Sequence, residues 1–307
     1  MQSALKAWPV LVVAAGLGFL AARGFMLPYV IEEEHKEAFL AEGPAPAISV
    51  EVFNGSIKIT RSKGKEVHAR LVKRAEGADK MEAEKALEKI QVRLEKLDGN
   101  RFVFTGKLSE KMTFGNHGVY AELEVPADAD LKLVTSNASV SVTEIQGEIV
   151  VDTANGGVTV KGNQKPVKVK TSNGGVTIQE GRGKLDVQTT NASVKIFAQQ
   201  AAAQVKTSNG GITFHGTLDE GGIHTLTTSN SKIEVKLPPD SQFRLDAATS
   251  NSKITSDFDG LKELIKKNRR ATRVEGNAGS HPRYTLKLQT SNGGIAIKHG
   301  SPIMDGE

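Results

Sequence analysis

Residues 171–178 read Thr-Ser-Asn-Gly-Gly-Val-Thr-Ile, and the chain keeps returning to this phrase. The central asparagine recurs as Asn137, Asn155, Asn173, Asn191, Asn209, Asn230, Asn251 and Asn292, so successive spacings are 18, 18, 18, 18, 21, 21 and 41. A fixed period of this size is the sequence sign of stacked repeats. Three positions after each asparagine stand Val140, Val158, Val176, Val194, Ile212, Ile233, Ile254 and Ile295. Four positions before it stand Leu133, Val151, Val169, Val187, Val205, Leu226, Ala247 and Leu288. Apolar residues at every second site on both sides of a turn describe two short strands per unit, each with one buried face. Eighteen residues with two strands and two turns make one coil of a β-solenoid, its neighbours about 4.8 Å away. An antiparallel meander is the rival arrangement, and the strict recurrence favours the solenoid.

Stacking assigns the corner residues a structural role. Asparagine tolerates a left-handed backbone, the glycines after it allow positive φ, and in-register amides bond up a stack. Threonine stands two positions before all eight asparagines, from Thr135 to Thr290, with the parity of the buried sites. Asn54 has the same apolar offsets around it (Val50, Val52, Ile57, Ile59) and belongs to the series as a first rung. The segment that separates it from the rest contains a strand-like stretch over 66–73, strands near 90–96, 101–105 and 118–125, and a helix. Asp79 is that helix's expected N-cap, and Met81, Ala83, Leu87 and Ile90 form its apolar stripe. Such an α+β cap shields strand edges.

The remainder of the 307 residues fits this reading. Aromatics at 5% and 31 glycines describe a turn-rich chain with a narrow Val/Ile core. Lys+Arg (40) and Asp+Glu (35) are interspersed, so the net +5 describes a mixed solvated surface and not a nucleic-acid binder. The absence of cysteine excludes disulfides, thiolate metal sites and a Cys nucleophile. At the N-terminus Lys6 precedes an uncharged run, Trp8–Ala22, and apolar sequence resumes after Arg23 up to Ile31. Residues 8–31 serve either as a membrane-spanning signal-anchor, about 36 Å as a helix, or as a cleaved signal peptide. Both place residues 32–307 outside the cytoplasm. The organisation read from sequence is a signal-anchor or signal peptide (1–31), a linker (32–46) and the first rung with its α+β cap (47–130). The solenoid of eight to nine 18–21-residue rungs (131–298) and a tail (299–307) follow.

The alternating N-terminal strands, the helix-bearing insertion and the iterated Thr-Ser-Asn-Gly-Gly-Val-x-Ile rungs resemble the putative adhesin family of bacterial exported proteins, a domain of unknown function. The resemblance covers residues 47–298 and carries no catalytic motif. It implies a β-solenoid and an envelope or surface location. Some relatives are linked to adhesion and others to sensing envelope stress.

No residue pattern announces chemistry. The seven histidines show no metal-ligand spacing, His215 and His224 included, and no P-loop, dinucleotide fingerprint or GxSxG is present. Stacked acidic columns, as a polysaccharide-active enzyme requires, are missing, so catalytic, cofactor and metal sites are read as none. The fourth position after the asparagine carries hydroxyls in several rungs, but Lys195, Glu234 and Ala296 interrupt them. The most irregular stretch is an insert at 257–283, where Lys262, Lys266, Lys267, Arg269, Arg270 and Arg273 bring six cations into twelve residues. A long loop in a regular repeat is where function is grafted. The expected partners are therefore the membrane through residues 8–31 and, at the insert, an anionic envelope polymer, lipid head groups or another envelope protein. The function expected is a non-enzymatic, exported, adhesin-like module anchored in the cytoplasmic membrane, with envelope-stress or antimicrobial-peptide sensing as the alternative.

Overall fold

The structure, a computed structural model, describes residues 28–110, 115–267 and 272–301. The chain forms two compact units, Met1–Ser141 and Val142–Glu307.

The described part of the first unit opens with β1 (Tyr29–Leu40), β2 (Ala47–Val52), β3 (Ile57–Arg61) and β4 (Glu66–Gly77). Helix α1 (Lys80–Glu88), β5 (Ile90–Leu97), β6 (Arg101–Leu108), β7 (Gly118–Val125) and β8 (Asp130–Thr135) follow, and β9 (Val140–Thr143) reaches the boundary. Strands β2 and β3 are the two arms of the Asn54 coil. β2 lies between β6 and β8, parallel to both, with Ile48 opposite Phe102 on one side and Leu131 on the other. β3 runs parallel to β7. The first coil in sequence is thus interior, enclosed by strands that come later. The outer strands are shielded by antiparallel ones: β5 on β6, β4 on β7, and β1 on β4. Helix α1 starts where Asp79 accepts from the Glu82 N–H at 2.8 Å, and it buries Ala83 and Leu87. Phe39 of β1 packs on Phe102 and Phe104 at ring separations of 5.8 and 6.0 Å.

This corrects two boundaries. Tyr29–Ile31, expected as the end of an apolar span, open β1, and most of the expected linker 32–46 is β1 as far as Leu40. The alternating contacts with β4, including the Lys73–Glu33 pair at 2.8 Å, hold this charged segment as strand. Residues 1–27 lie outside the described residues, and the signal or anchor reading lies there with them. Among the described residues no helix is long and apolar enough to cross a membrane.

The second unit continues with β10 (Ile149–Thr153), β11 (Val158–Lys161), β12 (Val167–Lys170), β13 (Val176–Gln188), β14 (Val194–Lys206) and β15 (Ile212–Leu218). Then come β16 (Ile223–Thr227), β17 (Ile233–Leu237), β18 (Phe243–Ala248), β19 (Ile254–Ser256), α2 (Asp259–Lys267), β20 (Arg273–Ala278), β21 (Tyr284–Gln289) and β22 (Ile295–His299). The arms that follow the asparagines stack in parallel and in register, through Val158, Val176, Val194, Ile212, Ile233, Ile295 and Ile254 in that spatial order. All seven are buried. Each such side chain leaves water because neighbouring coils cover it, with α2 packing against β19 at the Ile254 end, a gain of about 1.5–3 kcal/mol apiece.

Within this unit the spatial order departs from sequence order at one place. β21 lies between β16 and β18, and β22 lies between β17 and β19. The last coil in the sequence is therefore seated inside the stack, and the Asn251 coil forms its end. The insert 257–283 is the excursion this requires: α2 crosses the end, β20 pairs antiparallel with β18, and the chain returns into the slot. Aromatics scarce elsewhere gather here. Phe243 meets Phe258 at 5.1 Å and Tyr284 at 5.8 Å, and Phe258 meets His299 at 4.6 Å.

Candidate functional site

The asparagine corner uses its polar groups internally. In the second unit Asn173 Nδ2 donates to Asn155 Oδ1 at 2.6 Å, Asn191 to Asn173 at 2.6 Å, and Asn209 to Asn191 at 2.7 Å. Asn230 continues to Asn209 (2.6 Å), Asn292 to Asn230 (2.7 Å) and Asn251 to Asn292 (2.6 Å). In the first unit Asn137 bonds Asn54 in the same way at 2.5 Å. Behind the asparagines the threonines are buried, and their hydroxyls tie coil to coil. Thr207 Oγ1 accepts from the Gly210 N–H at 3.3 Å and donates to the Ala192 carbonyl of the preceding coil at 3.2 Å. Thr228 donates to the Gly210 carbonyl at 2.8 Å.

The glycines serve a different purpose from the one expected. Asn54 alone among the corner asparagines has positive φ, and the Gly-Gly pairs do not adopt it. What they provide is room. A Cβ on Gly210 would lie 1.8 Å from the Ala192 carbonyl oxygen, and the same holds at Gly174 over Gly156 (1.7 Å) and at Gly293 over Ser231 (1.7 Å). From Asn173 onward, the residue after each asparagine reads, in spatial order, Gly174, Ala192, Gly210, Ser231, Gly293, Ser252. Glycine alternates with a residue bearing a Cβ. In sequence order the alternation fails, because Ser231 and Ser252 are consecutive. It is restored by seating the Asn292 coil between them.

The opposite character appears on the outward side of β15, β17, β22 and β19. Glu234 on β17 is contacted by Lys232 at 2.5 Å, Lys298 at 3.2 Å and Lys236 at 3.5 Å. Its carboxyl is held down at about 2, chiefly by the Lys232 hydrogen bond, with burial opposing and Lys298 adding to the effect. Three ammonium groups share one carboxylate, and Lys253, two coils along, has no ion pair among the described residues. Beside them is a hollow of ≈570 Å³ whose floor is Gly294 and Ala296 and whose rims include Lys232, Lys253 and Thr255. Sequence reading passed over these residues, treating Glu234 and Ala296 as interruptions of a hydroxyl row. In true coil order Glu234, Ala296 and Thr255 are side by side.

The basic insert is less free than its composition implies. Arg273 on β20 is bound by Asp246 (3.1 Å) and Glu275 (2.8 Å), and Lys266 by Glu263 (2.8 Å). Lys262 is exposed on α2, which packs against β19 and β20. The side chain of Lys267 and residues Arg269 and Arg270 lie outside the described residues. Leu261 is buried under the insert, so α2 is a lid on the stack end as well as a carrier of charge.

Two histidines considered for metal binding are engaged by backbone. His224 is fully buried. The Ala203 N–H donates to its Nδ1 at 3.3 Å, which makes Nε2 the protonated nitrogen, 3.1 Å from the Asp219 carbonyl. Burial pushes its pKa down. His215 Nε2 lies 2.9 Å from the Ser301 carbonyl. Among the described residues no group of His, Asp and Glu is arranged to hold a metal ion.

A second hollow, of ≈480 Å³ in the first unit, is bordered by Lys36, Lys58, His68, Arg70, Glu122 and Glu124. Arg70 bonds Glu34 and Glu122, and Lys36 bonds Glu34 at 2.8 Å, so opposite charges there largely cancel.

A family model described as Toastrack DUF4097 matches residues 46–298. No curated protein sequence matches the chain. Among solved structures, a putative adhesin (BF0245) from Bacteroides fragilis NCTC 9343 aligns at 13% identity and TM-score 0.35, covering 87% of this chain and 97% of that one. A putative cell adhesion protein from Clostridium sporogenes ATCC 15579 aligns at 10% identity and TM-score 0.27, covering 87% and 100%. A putative adhesin from Parabacteroides distasonis ATCC 8503 aligns at 8% identity and TM-score 0.28, covering 86% and 96%. At such identities and scores no residue role is carried across.

Proposed function

The chain belongs to the Toastrack DUF4097 family, and from that premise we propose that it is an exported, non-enzymatic, adhesin-like module of the cell envelope whose β-solenoid displays a binding face. One observation carries this reading: corner polar groups are consumed by coil-to-coil bonds, while three lysines on the outward face share the carboxylate of Glu234. A charge excess on a rigid sheet attracts anionic partners and needs no moving part. Export and membrane attachment through the apolar run from Trp8 belong to the same proposal, as does a contribution from the insert cations Lys262, Lys266, Lys267, Arg269 and Arg270.

The test is genetic and cellular. Deleting the gene from its host lowers attachment of cells to surfaces coated with anionic glycan, and the full-length chain restores it. Unchanged attachment, or recovery of the protein only from the cytoplasm, refutes the reading.

A further inference from the structure

The hollow beside Glu234 has a shape as well as a charge. It follows β22, the arm of the intercalated coil. Two rows cross it: Lys232, Gly294 and Lys253, then Glu234, Ala296 and Thr255. In each row the central residue is small and its neighbours on both sides are longer. The result is a trench one coil wide, its two rims lying two inter-strand spacings apart, about 10 Å. That width admits one extended chain. At its corner end stand Asn251 and Ser252. Asn251 is the last member of its amide row: its Nδ2 bonds Asn292, and among the described residues no further coil donates to its Oδ1. Beyond the other end of the hollow, Lys298 of the same coil is in register with Lys236. Lys232, Lys236, Lys253 and Lys298 against Glu234 and Asp257, the latter accepting from the His299 N–H, leave two positive charges in excess. The Asn251 amide, the Ser252 hydroxyl and the Thr255 hydroxyl add neutral hydrogen-bonding groups among these cations.

We propose that this trench is a binding site for a single chain of a linear acidic polysaccharide, with lysines on the sugar carboxylates and Asn251, Ser252 and Thr255 on the ring hydroxyls. The mixture of groups selects the class. A bare polyphosphate offers the lysines charge and accepts from the hydroxyls, but it brings no donor for the Asn251 Oδ1, which a sugar hydroxyl supplies, and a flat lipid surface cannot enter between rims about 10 Å apart. The site exists only because the chain is laid down out of order. Were the coils stacked in sequence order, Lys232 and Lys253 would be adjacent and no small residue would separate them. The assignment takes up the binding reading above, and its test is made on purified protein, so its outcome does not depend on an attachment phenotype.

The experiment measures binding of fluorescent oligogalacturonate to the full chain in detergent, with polyphosphate and single-stranded oligodeoxynucleotide as competitors. Lys253→Glu reverses a charge that has no ion pair among the described residues, and Ala296→Phe fills the floor at unchanged charge. Each weakens binding at least tenfold. Lys195→Glu lies on the same row of strands four coils away and leaves it within twofold. Thermal melts of all variants are recorded alongside, so that lost binding in an intact fold is separable from unfolding. Equal losses for Lys253→Glu and Lys195→Glu with none for Ala296→Phe mean a diffuse charge effect and overturn the site. Tighter binding of polyphosphate or oligodeoxynucleotide than of oligogalacturonate overturns the ligand class, and absence of oligogalacturonate binding overturns both.

Discussion

The asparagine corner and the lysine face are built on the same coils, yet they obey opposite rules. At the corner the eight coils from Asn137 onward repeat Thr-x-Asn, hydroxyls and amides tie coil to coil, and even the alternation of Gly with Ala or Ser is fixed by a carbonyl less than 2 Å from an added Cβ. On the face, the fourth position after the asparagine runs Thr213, Glu234, Ala296, Thr255 in space, without repetition or charge balance. Columns that repeat are doing structural work, because a defect in one coil is felt by two neighbours. Columns that vary are free to carry a ligand. In a repeat protein, then, irregularity in true spatial order is the mark of a site.

The sharpest break of this contrast is at the tight glycines. Gly210→Ala pushes a methyl into the Ala192 carbonyl and costs about 3 kcal/mol in chemical denaturation. Its counterpart Ala192→Gly, at a corner that already holds a Cβ, costs no more than about 1 kcal/mol. Equal effects would remove the alternation from the account. Next in size is the buried hydroxyl row. Thr228→Val leaves the Gly210 carbonyl without its 2.8 Å bond and costs about 1–2 kcal/mol, whereas Thr213→Val on the face is close to neutral. The smallest effect is electrostatic. The carboxyl of Glu234 titrates at about 2, below its ordinary 4.5, so its contribution is full above pH 4.5 and is lost as pH falls toward 2. Because its lysine partners are solvent-exposed, this is worth about 1 kcal/mol. Stability measured from pH 6 down to pH 2 falls less steeply for Glu234→Gln than for the unaltered chain. A parallel pair of curves would show that the lysines do not hold that carboxylate.

The sequence displays the period, the two arms per coil, the buried threonine row and the capping helix starting at Asp79, because each is local or repeats at a fixed offset. Its lesson fails at coil order. Counting from Asn251 to Asn292 registers a gap of 41 residues but says nothing about which slot the returning chain enters. The clue was present in the residue after each asparagine, where two consecutive serines break an alternation, yet its meaning depends on a carbonyl that only the stacked backbone supplies. The six-cation insert misleads for a related reason. Composition counts charges and not their partners, and the acids that neutralise Arg273 come from β18 and β20. Tyr29–Leu40 was obscured because its residues, polar on both sides, do not alternate, and antiparallel pairing with β4 decides its form.

The seat of β21 and β22 between earlier coils has a consequence in time. A growing chain meets Asn230 and Asn251 before the segment that must separate them exists. Those two coils cannot close on each other, since doing so would occupy the place of residues 284–299 and set Ser231 against Ser252, both with a Cβ where the alternation calls for a glycine. The end of the stack therefore stays unfinished until residues 284–299 have been added to the chain. Arrival of the C-terminal segment is the closing event, and a chain truncated before it is left with unpaired strand edges that mark it for aggregation or proteolysis. The same out-of-order path that makes the trench also makes the arrival of residues 284–299 a condition of completing the stack.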